Sequence, residues 1–216
     1  MIVTIDGPAG TGKSTVARQL ADRLGFEFLN TGAMYRAVAL ACLRRGVDPA
    51  ADAAADAVAA QLSIRFAHHR LLLNDEDVTE AIRQPEVSHA ASQVAAIPAV
   101  RARLVELQRG AAEGIDLVTE GRDQGTVVFP EAECKFFLTA SPEERALRRQ
   151  RELAEQGQDI QLEEILQQQT ERDDRDLNRT VAPLKPAIDA EILDTSHMPL
   201  AEVLDHLERR VRAVRP

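Results

Sequence analysis

The stretch Gly7-Pro8-Ala9-Gly10-Thr11-Gly12-Lys13-Ser14-Thr15 constrains this chain more than any other. It satisfies the pattern G-x-x-x-x-G-K-[S/T] at every fixed position. Its flanks matter as much as the match. Ile2-Val3-Thr4-Ile5 before it reads as a short buried strand. Val16, Ala17, Leu20 and Leu24 after it recur at helical spacing, and Gly25 stands where such a helix would stop. Strand, glycine loop and helix in that order build an anion cradle. The glycines let successive backbone N–H groups converge on one anion, and the helix N-terminus adds a partial positive charge. Lys13 is placed to reach the β- and γ-phosphates of a nucleoside triphosphate, and the Ser14 hydroxyl to ligate Mg²⁺. The competing reading is a glycine-rich turn that binds nothing; the strand and helix on either side argue against it. Lysine usage does so too, because Lys13, Lys135 and Lys185 are the only lysines in a chain rich in arginine.

The 216 residues suffice for one α/β domain carrying a small insertion, or for two small domains, with a core large enough to need neither disulfide nor structural metal. Cys42 and Cys134 are far apart and outside any metal-ligand spacing, which points to a reducing cytoplasm. Met1 runs straight into the first strand, so no signal peptide is expected, and no apolar run approaches membrane-spanning length. The formal net charge of −9 argues against a general nucleic-acid binder. Arginine is nevertheless dense at Arg145, Arg148, Arg149 and Arg151, and again at Arg172, Arg175 and Arg179. An acidic chain with local arginine clusters suits a small, highly charged ligand, although several of these arginines fit solvated helix faces equally well.

Along the chain, Phe26 to Leu29 reads as a second strand and Asn30-Thr31-Gly32 opens a helix running to about Gly46. Ala50 to Gln61 reads as a surface helix. From Leu62 the texture changes. Ile64-Arg65-Phe66 and Leu71-Leu72-Leu73 read as short strands around a turn at His68-His69, Asn74-Asp75 as a second turn, Val78 as part of a third strand, and Thr79 as the cap of a short helix. Hairpins inside a βαβ series imply an inserted subdomain, placed here at about 62–96. Pro98 starts a helix that ends near Gly114. Asp116 to Thr119 is a core strand, with Glu120-Gly121-Arg122-Asp123 at its carboxyl end, where open α/β sheets bind ligands. Cys134 to Leu138 is the next strand. Ser141-Pro142-Glu143-Glu144 is a capping box that starts a helix to about Gly157, and a second helix spans about Leu162 to Leu177. Ile192 to Thr195 is the last strand, and Pro199 opens the final helix. The order implies a parallel sheet flanked by helices.

Phosphoryl transfer needs positioned charge rather than covalent help. Lys13, Arg36, Arg122, Arg172, Arg175 and Arg179 offer positive charge from separate loops, and Glu120 is a candidate for holding a Mg²⁺-bound water. No Asp or His is placed as a general base, which fits an acceptor that is already an oxyanion.

In these motifs the chain resembles the bacterial cytidylate kinases, nearly end to end. The resemblance rests on Gly7 to Thr15, on Thr31-Gly32-Ala33-Met34-Tyr35-Arg36, and on Ala91-Ser92-Gln93-Val94-Ala95-Ala96. It continues through Gly121-Arg122-Asp123-Gln124-Gly125-Thr126-Val127-Val128-Phe129-Pro130 and Glu171-Arg172-Asp173-Asp174-Arg175-Asp176 to Asn178-Arg179. The third and fifth motifs are specific in a way the first is not. The resemblance implies a P-loop NTPase core, an inserted nucleoside-monophosphate-binding subdomain with short antiparallel strands, and a helical lid at about 145–162. It implies MgATP-dependent phosphorylation of CMP and dCMP by a cytoplasmic monomer, with no nucleic-acid or membrane partner. Gly7 to Thr15 would bind ATP, with Mg²⁺ on Ser14 and, through water, on Glu120. Thr31, Arg36, Arg122 and Arg179 would hold the acceptor phosphate; Ser92, Arg101 and Asp123 would face the cytosine; Arg172 and Asp176 would contact the sugar; and Tyr35 would line the CMP site. Lys13, Arg122, Arg148, Arg151 and Arg179 would be catalytic, Arg148 and Arg151 from the lid. The chain departs from the family pattern at Asn30-Thr31, where many members carry Asp-Ser, and at Glu120, where many carry Asp.

Two other readings compete. One is a small P-loop kinase for AMP, UMP, dephospho-CoA or shikimate, which the insert and the Ser92 and Arg172-to-Arg179 motifs argue against. The other is a P-loop switch or nucleic-acid-dependent ATPase. The net charge and the lack of a stacking platform argue against that, since Tyr35 is the only tyrosine and there is no tryptophan.

Overall fold

A computed structural model describes residues 1–67, 70–155 and 157–214. The expected turn at His68-His69 lies outside the described residues, as does Gln156 within the expected lid. The described chain divides into two units, Met1–Leu29 with Ala112–Pro216, and Asn30–Ala111.

The first unit is built on a five-stranded sheet. Its strands are β1 (Ile2–Asp6), β2 (Glu27–Asn30), β6 (Leu117–Gly121), β7 (Cys134–Thr139) and β8 (Glu191–Asp194), in the order β2-β6-β1-β7-β8. β1 pairs in parallel with both β6 and β7, and β7 in parallel with β8. The Ile-Val-Thr-Ile run therefore becomes the central strand, and Val3 and Ile5 are fully buried. Against them pack α1 (Lys13–Leu24), through Val16, Ala17 and Leu20, and α8 (Leu200–Val214), through Val203, Leu204, Leu207 and Val211. The apolar residues of α8 recur every three or four positions, so one face is buried and the arginines and glutamates face solvent. Helices α6 (Pro142–Glu155) and α7 (Leu162–Asn178) hold a smaller cluster of their own around Ala146, Leu153 and Ile165. Half of the expected capping box forms at α6: the Ser141 hydroxyl accepts from the Glu144 amide at 3.2 Å, but the Ser141 amide donates to the Ser196 hydroxyl at 2.9 Å rather than to Glu144.

After β6 the chain makes a single turn of π-helix, Gln124–Val128, which periodicity does not reveal. The Phe129 amide reaches back five residues to the Gln124 carbonyl at 2.7 Å. Such turns are rare and occur mostly where a local geometry is under functional constraint.

The second unit contains α2 (Thr31–Arg44), α3 (Asp52–Ala59), α4 (Pro85–Val94) and α5 (Pro98–Ala111), and a small sheet of β3 (Ile64–Ala67), β4 (Arg70–Leu73) and β5 (Glu76–Asp77). α2 ends two residues short of the expected Gly46, and α5 three short of the expected Gly114. α2 packs against α4; Ala33, Ala37 and Ala41 are buried on the first, and Val87, Ala90 and Val94 on the second. β3 pairs with β4, and β4 with β5, all antiparallel. Asn74 and Asp75 both take positive φ, 49° and 69°, giving the two-residue turn whose twist suits a hairpin. Two local readings are corrected. Val78 lies beyond β5, which stops at Asp77. Thr79 caps no helix: its hydroxyl donates to Asp77 at 2.6 Å and accepts from the Leu71 amide at 3.0 Å, closing the hairpin end instead. The short helical turn Ala81–Arg83 starts after Glu80.

Candidate active site

The carboxyl ends of β1, β6, β7 and β8 bring the chemistry of the first unit together. The loop between β1 and α1 makes a close approach at Gly7, where φ is 144° and a Cβ would lie 2.0 Å from the Leu138 carbonyl oxygen. No other residue type fits there. Gly12, at φ 85°, precedes the first turn of α1, so the helix opens on Lys13 with its N-terminal amides facing the loop. Lys13 is buried, and its ammonium donates to the Pro8 carbonyl and, at 3.2 Å, to the Thr11 hydroxyl. Burial pushes the Lys13 ammonium well below its ordinary pKa, and Arg122 and Arg172 push the same way against Glu120 and Asp6.

Ser14 is exposed at the start of α1 and donates to Glu120 Oε1 at 2.8 Å. Both are hard oxygen donors beside the phosphate loop, which is the donor set Mg²⁺ takes when most of its shell is water and phosphate. Among the described residues no group of three or more His, Cys, Asp or Glu is arranged to hold a metal.

Past β6, Arg122 donates to Asp176 Oδ2 on α7 at 2.9 Å. Burial pushes the Asp176 carboxyl up, but Arg122, with Arg172 and Arg179, outweighs it and holds the group below the usual carboxylate range. Arg179 Nη2 lies 3.8 Å from Asp123 Oδ1, both side chains almost fully covered. Arg122, Asp123, Asp176 and Arg179 thus form one alternating network, and Arg172 and Lys13 feel its field. Arg175 is exposed on α7 and outside this network.

Arg148, on α6, donates to the Thr195 carbonyl at 2.6 Å and to the Thr11 carbonyl at 3.4 Å, touching the phosphate loop and the end of β8 together. Arg151, one turn on, is exposed.

In the second unit, Asn30 caps α2 by accepting from the Ala33 amide at 2.9 Å, and Thr31 is buried in the first turn. A Cβ on Gly32 would come within 3.2 Å of Arg36 Nη1, so the glycine lets the guanidinium lie across the helix start. Arg101 sits over the Tyr35 ring at 5.7 Å from its centroid and donates to the Ala95 carbonyl at 3.3 Å. The Ser92 hydroxyl donates to the His89 carbonyl three residues back at 2.8 Å, a bond within its own helix.

Sequence reasoning missed three residues. Asp6, last in β1, accepts from the Gln124 and Gly125 amides at 2.9 and 2.8 Å. Its carboxyl is pushed up to about 6, burial being the largest cause and Asp123 adding to it, against the two amides and Lys13. Arg145 pairs with Asp173 in the interior, and between them they take both backbone groups of Ala9: Arg145 donates to its carbonyl at 3.0 Å and Asp173 accepts its N–H at 3.4 Å. A carboxylate ending a buried strand, and an arginine beginning a helix, were visible in sequence; their partners were not.

A family model described as cytidylate kinase matches residues 3–213. A cytidylate kinase of Pelotomaculum thermopropionicum is 53% identical over 218 residues, covering 99% of this chain and 96% of that protein. A cytidylate kinase of Rhodopirellula baltica is 50% identical over 214 residues, covering 98% and 93%. Among solved structures, an uncharacterized protein from Eubacterium ventriosum matches with a TM-score of 0.56 at 13% identity, covering 99% of this chain and 98% of that one, a likeness of fold alone.

Proposed function

The chain belongs to the cytidylate kinase family and is a phosphotransferase; we propose that it moves the γ-phosphoryl group of MgATP to CMP, and to dCMP, releasing ADP and the nucleoside diphosphate. One observation supports this reading above the rest: Lys13 is buried at the head of α1, at the phosphate loop, with its charge disfavoured first by burial and then by Arg122 and Arg172, against Glu120 and Asp6. The phosphates of a donor and an acceptor relieve that repulsion, and the relief is largest where negative charge spreads over the transferring group.

In this proposal residues Gly7, Pro8, Ala9, Gly10, Thr11, Gly12, Lys13, Ser14 and Thr15 bind ATP. Ser14, and Glu120 through water, would hold Mg²⁺, which would neutralise phosphate charge there. Thr31, Arg36, Arg122 and Arg179 take the CMP phosphate; Ser92, Arg101 and Asp123 the base, with Tyr35 beside Arg101; Arg172 and Asp176 the sugar. The acceptor phosphate is an oxyanion and needs no general base. Arg148 and Arg151 act from a lid within 145–162. Because Arg145 is tied to the phosphate loop, motion of that lid starts beyond it, and hydrogen exchange that slows with a bisubstrate analogue only after Arg145 is the expected signature. The enzyme works as a cytoplasmic monomer, without nucleic-acid or membrane partners.

The test is ADP release measured across CMP, dCMP, UMP and AMP, with an acceptor-free control. Cytosine offers an amino donor to the Asp123 carboxylate where uracil offers an oxygen, so kcat/KM for CMP is expected to exceed that for UMP by at least about 10²-fold. Equal turnover of all four nucleotides, or ATP hydrolysis that ignores them, refutes the assignment.

A further inference from the structure

We propose that Asp6 is a positioning residue for base selection: its carboxylate holds the two amides that directly follow Asp123 and so aims the Arg122–Asp123 turn. The inference rests on the reading of Asp123 as the residue that faces the base. Asp6 is the last residue of β1 and pairs in register with Gly121, one residue before that turn. Oδ1 accepts from the Gln124 amide at 2.9 Å and Oδ2 from the Gly125 amide at 2.8 Å. The side chain is 4% exposed.

The turn has other anchors: the Asp123 carbonyl accepts from the Val127 and Val128 amides at 2.9 and 3.2 Å, and the Arg122 and Asp123 side chains pair with Asp176 and Arg179. The Thr119 hydroxyl donates to Gln124 Oε1 at 3.0 Å, Gly125 packs so tightly on Thr4 that a Cβ would lie 2.9 Å from its hydroxyl, and Lys135 donates to the Pro130 carbonyl. Asp6 takes the backbone next to Asp123 itself. Each amide has a carboxylate oxygen of its own in Asp6, which the single side-chain oxygen of an asparagine would not provide. Burial and the nearby Asp123 oppose the charged carboxylate, while the two amides and Lys13 favour it. Its placement is explained by the geometry it imposes. Because Gly7 follows Asp6 directly, the same residue ties the donor loop to the turn that reads the acceptor.

The experiment compares wild type, Asp6→Asn and Asp6→Glu with CMP and UMP at saturating MgATP. Asparagine keeps the size but turns an N–H₂ toward one of the two amide donors. The expected result for Asp6→Asn is a fall in kcat/KM for CMP of about tenfold or more, with UMP changed by less than about threefold and the KM for ATP by less than about threefold, so that the preference narrows. Asp6→Glu keeps two acceptor oxygens and is expected to retain the preference to within about threefold of wild type. Equal losses for both nucleotides in Asp6→Asn, or no change in either, overturn the inference and leave the Asp123 reading standing. If Asp6→Asn does not fold, judged by circular dichroism, Asp6→Glu decides, and a preference lost there overturns it. A wild-type enzyme without preference overturns the Asp123 reading and this inference with it.

Discussion

Removing one member of the Arg145–Asp173 pair should be far more damaging than removing a surface ion pair. Both side chains are largely covered, 7% and 13% exposed, and both hold the backbone of Ala9 as well as each other. Arg145→Met keeps the apolar stem on α6 and leaves the Asp173 carboxylate buried with the weak Ala9 N–H contact. Uncompensated charge of this kind costs about 3–5 kcal/mol, against roughly 0–1 kcal/mol for an exposed pair. Asp173→Leu leaves the guanidinium with the Ala9 and Ala140 carbonyls, at 3.0 and 3.2 Å, so its loss should lie toward the lower end of that range. The double variant removes both charges, and its loss should fall short of the sum of the singles by more than about 1 kcal/mol. The assay is urea unfolding of all four proteins, with the KM for ATP measured alongside. A phosphate loop released at Ala9 should bind ATP several-fold more weakly in both single variants. Single losses below about 1 kcal/mol that simply add in the double variant would refute the reasoning, because they would mean that the pair is effectively solvated.

Three further outcomes follow from the same geometry. Lys13→Ala should lower kcat by about 10²–10⁴-fold, since it removes the buried cation at the phosphate loop; near-normal turnover in a steady-state assay would remove Lys13 from the chemistry. Gly7→Ala should abolish ATP binding measured by calorimetry, because its Cβ would sit 2.0 Å from the Leu138 carbonyl oxygen and the loop must shift to admit it; wild-type affinity would contradict the close approach. Asp6 carries a pH signature: its folded pKa of about 6 lies above the ordinary 3.8, so between these values the folded protein holds a proton that the unfolded chain releases. Its contribution is present below the lower value and lost as pH rises through the upper one, so the stability of wild type relative to Asp6→Asn should fall by up to about 3 kcal/mol across that window; a difference that stays constant with pH rules the buried carboxylate out, with Asp123 and Lys13 as the charges that face it.

What the sequence determined by itself was whatever lies within one turn or one strand of its cause. The phosphate loop is legible because its strand, its glycines and its helix are contiguous, and the Leu138 contact only explains a glycine the pattern already demanded. The Ser141 cap and the Asn74-Asp75 hairpin turn were legible for the same reason. Thr79 was not: a threonine before a helical turn suits a cap, but the hairpin supplied Asp77 and Leu71 as better partners. The pairs that shape the candidate site span long separations, Asp6 with Gln124 and Gly125, Ser14 with Glu120, Arg145 with Asp173, and Arg148 with Thr195. The sequence offers many carboxylates and arginines that could serve each role, and nothing local ranks them. Tertiary structure decided among them through strand order. With β1 between β6 and β7, and β8 beyond β7, the carboxyl ends of four strands open on one edge of the sheet, and only the side chains carried there can reach one another.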